Sequence, residues 1–420
     1  MNQPRTPLPP APARTPAPDA RGAPAAALPG PPAPWWRRLP PAAVAVGLFL
    51  AVRLAGVLAV GIGAAATDRS LLRMLGRSWD CVWYLSVAVY GYGHRTVHYR
   101  PGVVFSDLAF FPVYPALVRA VATVLPVSWG AAGLLVSWTA ATVAAWGIYA
   151  LVSRLYDRRT GVLVVVVWAA LPHSVVLSLG YTEPLLTAFA AWALYAAVTG
   201  RWVWAGVLAA LAGASRPNGF AVAAAVIAAA ALELWRRSRA GDGVAARGRP
   251  PAVHRLWTGA LLAPAGWVGY VLWVGWRRGD PLGGYFGVQR DWGSRFDFGQ
   301  GAATFVGVLL TRTSKFVFPM ALLIVLLAVL LFVLLLVERT PLPLVVYAGV
   351  LLLVALGGAG FFESKPRFLL PAFPLLIPLG RALARTTRAR SGPAIVVIAF
   401  LTGLSLSYGV FLIGFGRAPL

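Results

Sequence analysis

Apolar residues in this chain fall in long unbroken runs, and arginines collect in the short gaps between them. Runs of roughly 17–25 residues match what a helix needs to cross a hydrocarbon layer about 30 Å thick. Barrel strands would instead alternate over about ten residues. Backbone groups find no water in lipid, so such runs fold as helices. The pattern predicts about eleven spans. The first three lie at about 40–63, 129–152 and 160–179, and the fourth runs from the turn Gly180-Tyr181-Thr182-Glu183-Pro184 to near Arg201. Two short runs, 202–214 and 219–234, flank Ser215-Arg216-Pro217-Asn218-Gly219 and are expected as spans joined by a broken, polar junction. The rest lie at about 256–276, 316–337, 342–360, 367–383 and 393–414, and the stretch 302–312 is too short to cross.

Between the first two spans, residues 64–128 interleave apolar and aromatic side chains with Arg69, Arg73, Arg77 and Asp80, the pattern of amphipathic helices lying in the interface. Arg37-Arg38 and the arginines between 236 and 255 assign the N-terminus and that later loop to the cytoplasm, which puts 64–128 outside. Residues 1–38 are rich in Pro and Ala and are expected as a disordered cytoplasmic tail. Residues 39–420 are expected as one membrane domain, so the fold class is an all-α polytopic membrane protein.

Composition agrees with this pattern and excludes other classes. Hydrophobic residues make up 59% and charged residues 12%, outside the usual range of soluble domains. The net charge of +24 sits largely in loops, where it marks topology and meets anionic headgroups, so no nucleic-acid partner is expected. The single Cys81 excludes an intrachain disulfide, and no phosphate-cradling G-x-x-x-x-G-K-[ST] loop is present. Arg277-Arg278 and the basic residues of the first loop run against the topology rule, which points to a negatively charged ligand on the outer face.

With only 13 acids in 420 residues, each one beside a span is a candidate for chemistry. Asp80, within Ser78-Trp79-Asp80-Cys81-Val82-Trp83-Tyr84, is the first of them: a carboxylate at the water–lipid boundary suits a general base. Its structural alternative is to cap an interfacial helix. Trp79, Trp83 and Tyr84 would stack on a sugar or simply anchor the interface. Arg216, in the break before Asn218, either holds a phosphate or snorkels outward, and Asn218 is a candidate contact for a sugar or acceptor. Lys365 and Arg367 are further phosphate candidates, with interface anchoring as the alternative. Glu183 would accept hydrogen bonds from a sugar or acceptor, or favour the dipole of its own helix. His94 and His98, four apart and with Cys81 as a third ligand, give a thin zinc signal that Gly91 and Gly93 weaken, so no metal is expected.

Taken in order, Trp79-Asp80-x-x-Trp83-Tyr84, Phe110-Phe111-Pro112-x-Tyr114-Pro115, Tyr181-Thr182-Glu183, Ser215-Arg216-x-Asn218-Gly219 and Arg367-Phe368-Leu369-Leu370-Pro371 resemble the motif series of the PIG-V-type mannosyltransferases. That family includes the second mannosyltransferase of glycosylphosphatidylinositol assembly and belongs to the GT-C superfamily of polytopic glycosyltransferases. The resemblance, over about 40–390, implies transfer of a mannosyl residue from a polyprenyl-phosphate-mannose donor to a lipid-linked or glycolipid acceptor. It also implies an essential carboxylate in the first external loop, the place Asp80 occupies. The expected reaction is direct displacement with no cofactor; an additional membrane subunit stays open as a partner.

The rival reading is a secondary transporter or a lipid or glycolipid flippase, which also uses broken helices and sparse charges near the midplane. Against it, the acids gather in external loops and the two halves show no similarity. Abundant Ala, Gly, Arg and Pro fit a high-GC bacterial genome, so the expected location is a bacterial plasma membrane with the active site on its outer face.

Overall fold

A computed structural model describes residues 40–240, 253–311 and 315–415. The tail expected over 1–38 lies outside the described residues, as do Arg247 and Arg249 of the basic loop. The described chain is helical from end to end, apart from one small hairpin. Helix α1 (Pro41–Ala66) is followed by a long connecting segment: α2 (Leu71–Gly76), α3 (Asp80–Tyr90), strands β1 (Thr96–Arg100) and β2 (Val103–Ser106), and α4 (Val113–Val124). Then come α5 (Trp129–Leu155), α6 (Arg158–Ala169), α7 (Glu183–Val198), α8 (Trp202–Gly213), α9 (Phe220–Ala240), α10 (Val253–Leu262) and α11 (Ala265–Arg277). The chain closes with α12 (Gly284–Asp291), α13 (Gln300–Thr311), α14 (Val317–Val337), α15 (Leu342–Gly357), α16 (Lys365–Leu369), α17 (Ile377–Ala389) and α18 (Ser391–Gly414).

All eleven expected segments fall on helix, but the count of eleven crossings does not follow. Among the described residues, six helices are long and apolar enough to span a bilayer, and eight if each of two bent pairs is one span. The shortfall has a local cause: α7, α8 and α15 are short apolar helices, and two segments break where prolines interrupt the ladder. After α6 the chain turns by 85° into a 3₁₀ turn at Pro172–Ser178, and Phe362–Leu369 meets Phe373–Ala389 at 77° around Pro371 and Pro374. The protein is a multi-pass membrane protein, and Leu323, Leu326, Leu327 and Leu330 of α14 point outward as a lipid-facing surface would.

Small residues set how closely these helices approach. A Cβ on Gly206 or on Gly259 would strike the backbone of the facing helix, so α8 and α10 cross at main-chain contact. Capping fixes the turn between α5 and α6: Asp157 accepts from the backbone N–H of Arg159 (3.0 Å) and Thr160 (3.1 Å).

The segment between α1 and α5 carries helices, as expected, together with a hairpin that its sequence pattern does not predict. Strands β1 and β2 pair antiparallel through the turn Pro101-Gly102, with Gly102 at φ +78°. The hairpin is held by Asp107, fully buried, whose carboxylate accepts from the N–H groups of Gly93 and Arg95. Beneath it, Tyr92 and Tyr270 both donate to the carbonyl of Phe110, at 2.7 and 2.8 Å. The Phe110–Pro115 stretch therefore shapes the loop through its backbone.

Candidate active site

Asp80 opens α3, and the residue before it is held out of the usual backbone regions: Trp79 has φ 45° and ψ −117°. A positive φ at a bulky residue costs free energy and persists where the surroundings impose it. Two of those surroundings are visible. Gly180 N donates to the Leu75 carbonyl at 3.0 Å, tying the end of α2 to the loop before α7. Gly76 abuts the backbone of Gly130 at the start of α5.

This anchoring brings three distant pieces of sequence onto Asp80. Arg367, from α16, reaches Asp80 Oδ2 with Nη1 at 2.7 Å and Glu183 Oε1 with Nε at 3.3 Å. Arg216, from the break between α8 and α9, lies with Nη1 2.6 Å from the same Glu183 oxygen. Glu183 thus sits between two guanidinium groups and links them. It is fully buried, whereas the Asp80 side chain keeps 27% of its surface exposed. Glu183 meets its partners at ion-pair distance, but neither of its oxygens has an aligned hydrogen bond.

Neutral groups fix the arginines. Arg216 donates through Nη1 to Thr182 Oγ1 (2.9 Å) and through Nε to Asn218 Oδ1 (3.3 Å). Tyr84 Oη is 3.2 Å from Thr182 Oγ1. Arg367 lies over the rings of Tyr181 (5.3 Å) and Phe368 (5.1 Å). With two acids and two arginines the cluster is charge-balanced, and Nη2 of each arginine has no hydrogen-bond partner among the described residues.

Six of the nine residues singled out from sequence thus converge: Asp80, Glu183, Arg216, Arg367, Tyr84 and Asn218. The other three stand elsewhere. Lys365 donates to the carbonyls of Ala355 (2.5 Å) and Gly358 (2.8 Å), closing the C-terminal end of α15. Trp83 is buried in an aromatic cluster, stacked on Phe110 at 5.6 Å and edge-on to Trp292 at 4.9 Å. Trp79, half-buried, packs against the core beside Asp80. Thr182 and Phe368, inside two of the quoted motifs, went unremarked as contacts because only the fold shows them sharing partners with Arg216 and Arg367.

Two titratable neighbours are held neutral. Burial, reinforced by the negative charge of Asp80, pushes the Cys81 thiol well above its ordinary range, so it is no nucleophile. Burial also pushes the Tyr84 phenol up to about 12, against the opposing pull of Arg216. His94 packs against Tyr90, and among the described residues no group of three His, Cys, Asp or Glu side chains is placed to hold a metal.

Comparison with known proteins places this geometry in a fold. Residues 110–242, less than half of the chain, match the family model of dolichyl-phosphate-mannose-protein mannosyltransferases. No curated protein matches the chain. Among solved structures, the apo oligosaccharyltransferase of Archaeoglobus fulgidus is similar with a TM-score of 0.50 at 14% identity, over 90% of this chain and 56% of that one. The same enzyme tethered to an acceptor peptide containing the NVT sequon gives a TM-score of 0.45 at 12% identity, over 92% and 56%. In complex with an inhibitory peptide and a dolichol-phosphate it gives 0.41 at 12%, over 87% and 55%. The chain spans about half the length of these structures, and its fold is of the GT-C type.

Proposed function

We propose that this protein is a membrane glycosyltransferase that moves a mannosyl residue from a polyprenyl-phosphate-mannose donor to a hydroxyl of a lipid-linked or glycolipid acceptor. The observation that carries the reading is the Asp80–Arg367–Glu183–Arg216 chain of ion pairs, which ends in Asp80, the most exposed of its four side chains. The family match over 110–242 supports a lipid-phosphate mannose donor. The motif series supports the PIG-V-type branch and an acceptor that is itself a lipid.

In this reading Asp80 takes the proton of the acceptor hydroxyl as its oxygen bonds to the anomeric carbon. The bond from that carbon to the phosphate oxygen breaks, and the electron pair leaves with the polyprenyl phosphate. Arg367 aims Asp80 through their 2.7 Å ion pair. The unpartnered Nη2 groups of Arg216 and Arg367 are the donors for the phosphate, whose charge grows as the bond breaks. Glu183 keeps the two guanidinium groups side by side despite their repulsion. No cofactor or metal enters, since the guanidinium groups meet the leaving charge. We place the site on the outer face of a bacterial plasma membrane, where donor and acceptor arrive from within the bilayer.

The test is transfer by purified protein in detergent, supplied with radiolabelled polyprenyl-phosphate-mannose and a membrane lipid extract. Labelled lipid product from wild type and none from Asp80→Asn is expected. Full activity of Asp80→Asn would remove the base from the mechanism, and absence of product from wild type despite donor binding would overturn the transferase reading.

A further inference from the structure

Helices α10 and α11 together, Val253–Arg277, are one of the six stretches long and apolar enough to span a bilayer. Along α11, Val268, Leu272 and Trp276 follow one another at intervals of four, and all three are exposed. That spacing puts them on one side of the helix, as an apolar stripe open to lipid. The stripe ends at Trp276, 74% exposed, and Arg277 comes next. An exposed tryptophan closing a span marks the headgroup level, so Arg277 stands where lipid phosphates lie.

A second cation reaches this place from the segment after α3. Gly91 and Gly93, both at positive φ (82° and 91°), turn the chain there. Tyr92, between them, packs edge-on to Trp273 of α11 at 5.0 Å. Gly93 faces Arg277: a Cβ built on it would lie 4.0 Å from Arg277 Nη2. Two residues on, Arg95 lays its guanidinium over the buried ring of Trp83 at 4.8 Å, and Arg277 lies over Trp273 at 5.2 Å. The turn thus collects two arginines, each laid on a tryptophan.

Neither charge is neutralised. Among the described residues, the guanidinium groups of Arg95 and Arg277 make no ion pair and no hydrogen bond. The acids of the adjoining turns are turned to the backbone: Asp107 accepts from the N–H groups of Gly93 and Arg95, and Asp280 from that of Gly283. A tryptophan face fixes a guanidinium without consuming its N–H donors, which leaves them for the oxygens of a phosphate.

We propose that Arg95 and Arg277 bind the phosphate of an anionic phospholipid whose acyl chains lie along Val268, Leu272 and Trp276. The apolar stripe running into a pair of cations matches an amphiphile with a negative head, and a zwitterionic head would bring its own cation against the two arginines. Bound there, the lipid joins the turn that follows α3 to the end of α11. The proposal is independent of the chemistry at Asp80.

The experiment is native mass spectrometry of the full-length protein released from detergent containing equal amounts of phosphatidylglycerol and phosphatidylcholine. In wild type the first lipid retained should be phosphatidylglycerol by about fivefold, the scale expected for basic side chains at a headgroup. Arg95→Gln/Arg277→Gln should abolish that preference. Arg277→Gln alone, at an exposed position outside the hairpin, should halve it. Arg119→Gln/Arg201→Gln removes the same charge from exposed positions elsewhere and should behave as wild type. An equal fall in both double variants, or an unchanged preference in Arg277→Gln and Arg95→Gln/Arg277→Gln, would overturn the site. In a parallel arm, millimolar glycerol 3-phosphate replaces lipid in a thermal-shift measurement. A shift lost in Arg95→Gln/Arg277→Gln, without any phosphatidylglycerol preference in wild type, would overturn the lipid assignment in favour of a soluble phosphate.

Discussion

Two buried arginine sites in this protein, a pair and a single side chain, solve the same problem in different ways. Arg216 and Arg367 each stand against a carboxylate. Arg53 lies midway along α1, 1% exposed, with no acid in ion-pair reach among the described residues. Its Nη1 donates to the carbonyl of Ser174 at 2.5 Å and its Nη2 to Ser405 Oγ at 3.3 Å. Ser174 Oγ and Ser405 Oγ are 2.9 Å apart. Ser174 belongs to the 3₁₀ turn after α6, where the broken ladder leaves carbonyls without helical donors. Arg53 therefore closes a helix break that lipid would not tolerate, and Gly56 leaves room for its guanidinium. A structural arginine can be served by neutral oxygens. A balanced cluster of two acids and two arginines, with one acid open to solvent, has a different purpose.

The difference should be sharpest at Asp80. Asp80→Asn keeps the shape and removes the proton acceptor, so transfer should fall by about 10²–10⁴-fold, the usual contribution of a general base. Apparent thermal stability should hardly change, because Asp80 is partly solvated. A parallel loss of activity and stability would place Asp80 with Arg53 as a fold element. Glu183→Gln comes next. It leaves two buried guanidinium groups facing each other, and breaking a buried pair from one side costs about 3–5 kcal/mol. A lower unfolding midpoint in detergent, with activity reduced even in the folded fraction, is the expected result. Unchanged stability would mean that Glu183 does not hold the two arginines together.

What the sequence disclosed follows the same division. The long apolar runs were legible because lipid imposes them, and Asp80, Glu183 and Arg216 stood out because acids are scarce and a polar break at membrane depth is costly. Lys365 could not be told from Arg367 by sequence. Both sit two residues apart beside the same span, and only the bend around Pro371 decides that one closes α15 while the other meets Asp80. Arg53 was hidden inside an otherwise ordinary apolar span, and its partner Ser174 lies 121 residues away. The hairpin of β1 and β2 was masked by its aromatic and basic residues, which fit an interfacial helix equally well. Trp83 reads as a sugar platform until the fold stacks Phe110 on it.

Arg53→Met tests the structural half of the comparison. The substitution removes a buried charge but strands the Ser174 carbonyl, so the net cost should be about 1–3 kcal/mol, read as a lower unfolding midpoint. Transfer per folded molecule should stay close to wild type. A loss of transfer as deep as that of Asp80→Asn, with stability intact, would move Arg53 into the active machinery.

The smallest effect is expected at Tyr84, which touches the active cluster only through Thr182. Tyr84→Phe should cost about 1 kcal/mol for that hydrogen bond and reduce transfer modestly, by loosening Thr182 and through it Arg216. Its signature lies in pH. The phenol titrates near 12 in the folded protein, above its ordinary 10, because burial favours the neutral form. The stabilisation tied to that shift is fully present below pH 10 and is lost as pH rises toward 12. Other buried tyrosines share this behaviour, so the diagnostic is the difference between wild type and Tyr84→Phe. That difference should be flat from neutral pH to about 10 and shrink above it. A difference that grows with pH would show Tyr84 ionising more easily when folded, with the charge of Arg216 outweighing burial, and would make the phenol a second proton acceptor beside Asp80.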